Sequence, residues 1–490
     1  MNKQYDLLIT NVKVVRPNHD KLYNHDIAIK DGKIVAVGTD LGTATTIVDG
    51  KGHLAFPGAI DAHMHIGIYQ PLDKDAVTES KAAASGGVTT AMTYIRTGSY
   101  YLNQGGSWRE FFPEVLRLSE GNYYVDYAYH VSPIESLQLD EFEYMVVECG
   151  APNFGELFMF YGSHGLHGRS DNQRKWLMLA DNDNYDIAHF DQVCRAAAAL
   201  QQKYPELAPY IQVSWHCETP ELLRTYEQIA QDSDLEGLEA YSAARPPFQE
   251  ALAVGVAGGL AHHAGLSQTN ILHITSRAAM DAALAVRANY PDMTVGMEVT
   301  AGHLILDYDS CQAGAGGKVN PPLRSADDRE YLWKHVLDGT IEWVITDHAN
   351  CPPHMKFDVD EPDNIWKARA GFGGTEYMLP GIFSEGTKRG LTPNRVAKLV
   401  SWTPSRRMGV LNKGDIAAGY CADIVLLDPD EQWTIRGADS FSAQQHTPFE
   451  GVEVTGRVKQ TFLRGNLVFD NGEIVGERDG EYIHRPTKPA

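Results

Sequence analysis

Eight short apolar runs through the middle of the chain set the narrowest limit on its fold. They are AFPGAIDAHMHIG, VTTAMTYI, VDYAYHV, GELFMFY, IQVSWH, NILHIT, MTVGMEV and IEWVITD. Each is close to continuously hydrophobic, as a parallel strand covered on both faces must be. Helical stretches such as FDQVCRAAAALQQKY and SRAAMDAALAVRANY separate most of them. Eight strands in strand–helix alternation predict a closed (β/α)8 barrel, a TIM barrel. An open doubly wound sheet is the alternative. It would need a glycine-rich phosphate loop after its first strand, and none is present.

The two ends have a different texture. YDLLITNVKVV alternates, and DIAIKDGKIVAVG reads as two strands around an Asp31-Gly32 turn. ADIVLLDP and VKQTFLRGNLVFDNGEIVG repeat that texture, with Asn471-Gly472 as a second turn. Residues 1–55 and 406–490 are therefore expected to build one small β-sandwich domain from both termini, around a barrel domain at 56–405. A barrel alone uses about 250 residues or more, so 490 residues leave room for both.

The net charge of −22 argues against a nucleic-acid partner, since phosphate binding needs a basic face. No apolar run is long enough for a membrane span, and the first residues hold no apolar signal core. The six cysteines are scattered with no CxxC pair, which fits reduced thiols in a cytoplasmic protein. Cys217 is expected to be a small buried residue.

Chemistry concentrates at strand ends. In His63-Met64-His65 the two imidazoles share one strand face and can reach one cation. His216 closes IQVSWH, His273 lies in NILHIT and Asp347 closes IEWVITD. Alone, each has an ordinary structural reading, as a core histidine or a helix-capping aspartate. Together they face one barrel mouth and make a ligand set suited to zinc or a similar divalent ion.

PGAIDAHMHIG, WHCET, LHITS, NPPLRSADDREYLWKHVLDG and VITDHANCP resemble the motifs of the amidohydrolase superfamily. They are most similar to its hydantoinase, dihydropyrimidinase and allantoinase branch, over nearly the whole chain. The resemblance implies a metal-dependent hydrolase of C–N amide or imide bonds that opens a cyclic amide. It implies one or two divalent ions, zinc or else manganese or cobalt, a small-molecule substrate and a homo-oligomer, dimer or tetramer. It assigns His63, His65 and Asp347 to the more buried ion and His216 and His273 to a more exposed one. Asp347 moves the proton, Tyr161 donates to the oxyanion, and Asn320 contacts the ring.

The pattern breaks twice. Where the family carries a lysine carbamate bridging the metals, this chain has Glu156. A carbamate stands roughly 3–4 Å further from the backbone, so Glu156 reaches the metals only if the strand or the ions move inward. It is read either as a metal ligand or as a plain strand-end carboxylate. Where the family has a ring-contacting asparagine, RAGFGGTE places Ala370. An acyclic amidase, a deaminase or a decarboxylase on the same barrel is the alternative, and a non-enzymatic scaffold a further one. His164 and His167 are read as loop residues near the mouth, His164 also as a substrate contact. Trp215 and the Tyr94–Tyr101 stretch are either pocket lining or core. Arg245, Pro246 and Glu250 are read as structural, the His262-His263 pair as surface, and His348 as orienting Asp347.

Overall fold

The computed structural model describes residues 4–159 and 173–490. Tyr161, His164 and His167 lie outside them.

The N-terminal strands are β1 (Tyr5–Val14), β2 (Tyr23–Lys30), β3 (Lys33–Gly38), β4 (Ala44–Asp49) and β5 (Leu54–Pro57). Eight strands follow: β6 (Ala59–Met64), β7 (Val88–Arg96), β8 (Asp126–Ser132), β9 (Asn153–Phe158), β10 (Gln212–His216), β11 (Gln268–Ile271), β12 (Thr294–Thr300) and β13 (Trp343–Ile345). The chain ends with β14 (Ile424–Thr434), β15 (Glu453–Leu463), β16 (Asn466–Asp470) and β17 (Glu473–Ile474).

Among the described residues, β6 to β13 form one parallel sheet in chain order. Its ends meet: Asp347 N donates to His63 O (3.0 Å) and His65 N to His348 O (2.7 Å). Closure thus runs through the residues that carry the candidate ligands. Each of the eight apolar runs supplies one barrel strand, which is the predicted TIM-barrel architecture.

The barrel interior is not purely apolar. Ser214 Oγ donates to Asn153 Oδ1 (2.8 Å), and Asn270 Nδ2 donates to Gln212 Oε1 (2.6 Å). Arg407 seals this network by donating to Asn270 Oδ1 (2.7 Å). Buried polar groups of this kind are tolerable because each finds a partner.

The remaining strands form a mixed sheet in the order β17-β16-β15-β14-β5-β1-β2-β3, with β4 beside β1. The two termini are therefore joined in one sheet through the antiparallel β5–β14 pairing, over a core that includes Ile9, Val14, Ile27, Ile424 and Phe462. Both anticipated turns hold their central residues in left-handed backbone: Asp31 and Gly32 at φ 50° and 71°, Asn471 and Gly472 at φ 47° and 96°. That pairing suits the twist of a two-residue hairpin.

A buried charge cluster ties this sheet to the barrel. Lys413 donates to Asp126 Oδ2 (2.6 Å) at the start of β8 and to Asp423, and Arg464 also pairs with Asp126. Lys413 and both aspartates are nearly inaccessible. Removing the lysine leaves carboxylates buried without their full counter-charge. Lys413→Met is expected to lower the unfolding free energy by about 3–5 kcal/mol in denaturant titration. A negligible change would show that the cluster contributes nothing to holding the two sheets together.

Candidate active site

His63 lies on β6 and His65 follows it, with their Nε2 atoms 3.3 Å apart. His216 ends β10, while His273 and Asp347 each stand two residues beyond a strand, β11 and β13. His273 and Asp347 have left-handed backbone, at φ 31° and 55°. Such a conformation costs a non-glycine residue about 1–2 kcal/mol. Here it turns both side chains into the mouth.

Glu156 is the centre of the arrangement. Its Oε1 lies 2.8 Å from His216 Nδ1 and 3.0 Å from His273 Nε2. Its Oε2 lies 3.4 Å from His65 Nε2 and 3.8 Å from His63 Nε2. One carboxylate therefore stands between two pairs of imidazoles. The register explains how so short a side chain arrives there. Val213 on β10 aligns with Phe154 on β9, but Trp215 aligns with Leu157. β9 holds one extra residue, a bulge, and bulges re-aim side chains. Gly155 makes this possible, because a Cβ there would sit 2.7 Å from Ser214 O.

Two atom trios lie close enough for a shared ion. They are His63, Glu156 and His273, and His63, His65 and Asp347; within each, the ligand atoms are within 4.8 Å of one another. Asp347 Oδ1 is 3.0 Å from His65 Nε2 and 3.4 Å from His63 Nε2. The expectation of a buried pair and a more exposed pair does not match the accessibility. His216 and His273 are 3% and 1% exposed, against 6% and 8% for His65 and Asp347.

Carboxylates behind the histidines fix which nitrogen faces inward. His63 Nδ1 donates to Glu298 Oε1 (2.8 Å), which leaves Nε2 pointing at the centre. Trp343 Nε1 donates to the other Glu298 oxygen (2.9 Å). His216 is reversed: Nε2 donates to Glu218 Oε2 (3.0 Å) and Nδ1 faces the centre. Glu218 is held in turn by Arg245 (2.9 Å) and Gln249 (3.1 Å).

The electrostatics call for positive charge. Burial opposes a charged His63, but Glu156, Glu298 and Asp347 outweigh it and hold the imidazole well above its ordinary pKa. Burial likewise opposes a charged His216, yet Glu156 and Glu218 raise it to about 9. Burial would raise Glu156, but hydrogen bonds from His216 and His273 keep it well below the usual carboxylate range. Glu218 follows the same pattern: Arg245 and His216 overcome its burial and bring it down to about 2.

A cavity opens onto this centre, lined by His65, Glu156, His216 and Asp347 and walled by Tyr69, Tyr101 and Phe158. Asn320 also lines it, with Oδ1 accepting from Tyr241 Oη (2.5 Å). Ala370 lies at the rim, its carbonyl accepting from Tyr69 Oη (2.8 Å).

Several other expectations resolve here. Trp215 is core, fully buried against Phe190. Tyr94 is buried beside Asn153, whereas Tyr101 reaches the cavity with its hydroxyl 3.1 Å from His65 Nδ1. His348 does not orient Asp347. Its Nε2 donates to Glu79 Oε2 (2.8 Å), and its Nδ1 accepts from Gly374 N (3.0 Å). Cys217 is a buried thiol whose pKa burial pushes well up. Arg245 and Glu250 are ion-paired, with Glu218 and Arg324. Glu218 and Glu298 were not singled out in the sequence. Glu298 left a signal there, as a lone charge inside the apolar run MTVGMEV.

The amidohydrolase-family model matches residues 319–468. The chain is 29% identical over 490 residues to an allantoinase of Rubrobacter xylanophilus, covering 99% of this chain and 98% of that one. It is 28% identical to an allantoinase of Salmonella newport, covering 95% of each. Among solved structures, the dihydropyrimidinase from Brevibacillus agri superposes with a TM-score of 0.83 at 25% identity, covering 98% of both chains. Residues 319–468 of this chain carry an amidohydrolase-family domain. A D-hydantoinase (dihydropyrimidinase) from Thermus sp. gives a TM-score of 0.80 at 25% identity, covering 98% of this chain and 99% of that chain. No described helix is long and apolar enough to cross a membrane.

Proposed function

We propose that this amidohydrolase opens a cyclic amide by metal-dependent hydrolysis, with a centre of two divalent cations that share Glu156. The observation that carries the reading is the position of Glu156, one oxygen facing each histidine pair. The residues fit a cation on three counts. Glu156 Oε2 is buried without a hydrogen-bond partner among the described residues. His63 Nδ1 is committed to Glu298, which leaves Nε2 as the ring atom facing the centre, where a cation would take the place of its proton. The set of imidazoles and carboxylates suits zinc, with manganese or cobalt as substitutes.

His63, His65 and Asp347 are assigned to one cation, and His216 and His273 to the other. Bound there, divalent cations supply Lewis acidity toward a carbonyl oxygen and lower the pKa of water. Asp347, at the cavity wall, takes the proton of the attacking water and returns it to the leaving ring nitrogen as the C–N bond breaks. Glu298 and Glu218 hold His63 and His216 in the orientations that keep their lone pairs inward. Asn320, fixed by Tyr241, is positioned against the ring. Tyr161 is assigned on its motif alone as the donor to the oxyanion.

The names of the relatives support ring opening over the other reactions, since they are allantoinases, dihydropyrimidinases and hydantoinases. The test is a product assay on hydantoin, dihydrouracil and allantoin with chelated and zinc-reloaded protein. Ring opening that is lost on chelation and restored by zinc is the expected outcome. Ring opening indifferent to chelation, or ammonia or carbon dioxide as the product, would overturn the proposal.

A further inference from the structure

Arg96 ends β7 at 2% exposure and lines the same cavity as His65, Glu156, His216 and Asp347. Its surroundings are unusual for a buried cation. Nη1 donates to Thr97 O (2.9 Å), and the guanidinium lies 4.0 Å from the Trp176 ring centroid and 5.8 Å from that of Tyr101. Nη2 is buried and has no hydrogen-bond partner among the described residues. No ion pair forms between Arg96 and a carboxylate among the described residues. Arg245 and Arg324, at comparable burial, each have one, Glu218 and Glu250. Glu156 is committed to its histidines.

An unpaired buried charge is costly, and aromatic faces compensate it only in part. The fork of a guanidinium matches a carboxylate, and desolvated charge-assisted bonds are the strong ones. We propose that Arg96 binds an anionic substituent of the substrate, so that the preferred substrates are cyclic amides bearing a carboxylate arm. This rests on the ring-opening reading and narrows it to a substrate class. Trp176 and Tyr101 hold the guanidinium plane, and the unsatisfied Nη2 is left to meet the arm. The counter-charge that the described residues do not supply then arrives with the ligand.

The test uses zinc-loaded protein and two acids, 5-carboxymethylhydantoin and 5-(2-carboxyethyl)hydantoin, each beside its uncharged primary amide. The paired compounds differ in charge and hardly in shape. For at least one pair, kcat/KM is expected to favour the acid by about tenfold or more, expressed in KM rather than kcat. Arg96→Met is expected to bring that acid-to-amide ratio to about one, and Arg96→Lys to keep part of it. A ratio is independent of how much of a variant folds. Calorimetric titration of the same compounds reads the preference without turnover. No acid preference in either pair, or a preference that survives Arg96→Met, would overturn the assignment. Acid-selective binding without ring opening would sink the catalytic reading and leave Arg96 as an anion site.

Discussion

Asp347→Asn is expected to reduce kcat by about 10²–10⁴-fold while leaving the barrel folded. The size follows from what the carboxylate is asked to do. Hydrolysis of an amide needs a proton removed from water and delivered to nitrogen, and an uncharged asparagine does neither. Asp347 Oδ1 also lies 3.0 Å from His65 Nε2 among the proposed ligands, so the substitution weakens the cation site as well. The fold is expected to survive. The backbone bond from Asp347 N to His63 O, which helps close the barrel, does not depend on the side chain. Steady-state kinetics beside a thermal melt separate the two effects. Turnover near that of the wild type would remove Asp347 from the proton path.

Glu156→Ala has the second large effect. Its carboxylate is the one group that faces both histidine pairs, and burial leaves no water to replace it. Loss of a partner behind a metal ligand already costs about 10–100-fold in affinity or activity. Loss of a shared ligand is expected to cost more than about 100-fold in kcat/KM, and metal content should fall in parallel. Inductively coupled plasma analysis after dialysis reads the metal. Unchanged stoichiometry would mean that Glu156 is a strand-end carboxylate that only neutralises imidazoles.

The barrel was legible in the sequence because period and burial leave a plain trace. A parallel strand covered on both faces must be largely apolar, and all eight runs came close to that. His63, His65, His216, His273 and Asp347 could be placed at one mouth for the same reason, since strand ends in a barrel share one rim. What stayed hidden depends on registers and side-chain directions that only the folded chain fixes. The inward reach of Glu156 comes from one extra residue in β9, invisible without its neighbour β10. Glu218 stands two residues past His216, and its role depends on the reversed ring of that histidine. His348 was misjudged because adjacency in sequence is not adjacency in space: its ring turns to Glu79. Arg96 ended an apolar run without comment, since nothing in the run says that its guanidinium lacks a carboxylate.

The shared-cation reading stands or falls on a crystal structure of zinc-reloaded protein with diffraction collected on both sides of the zinc edge. Two anomalous peaks are expected, each with one oxygen of Glu156 at about 2.0–2.2 Å and with His63, His65 and Asp347 divided from His216 and His273. Anomalous density that avoids Glu156, or none at the barrel mouth, would contradict it.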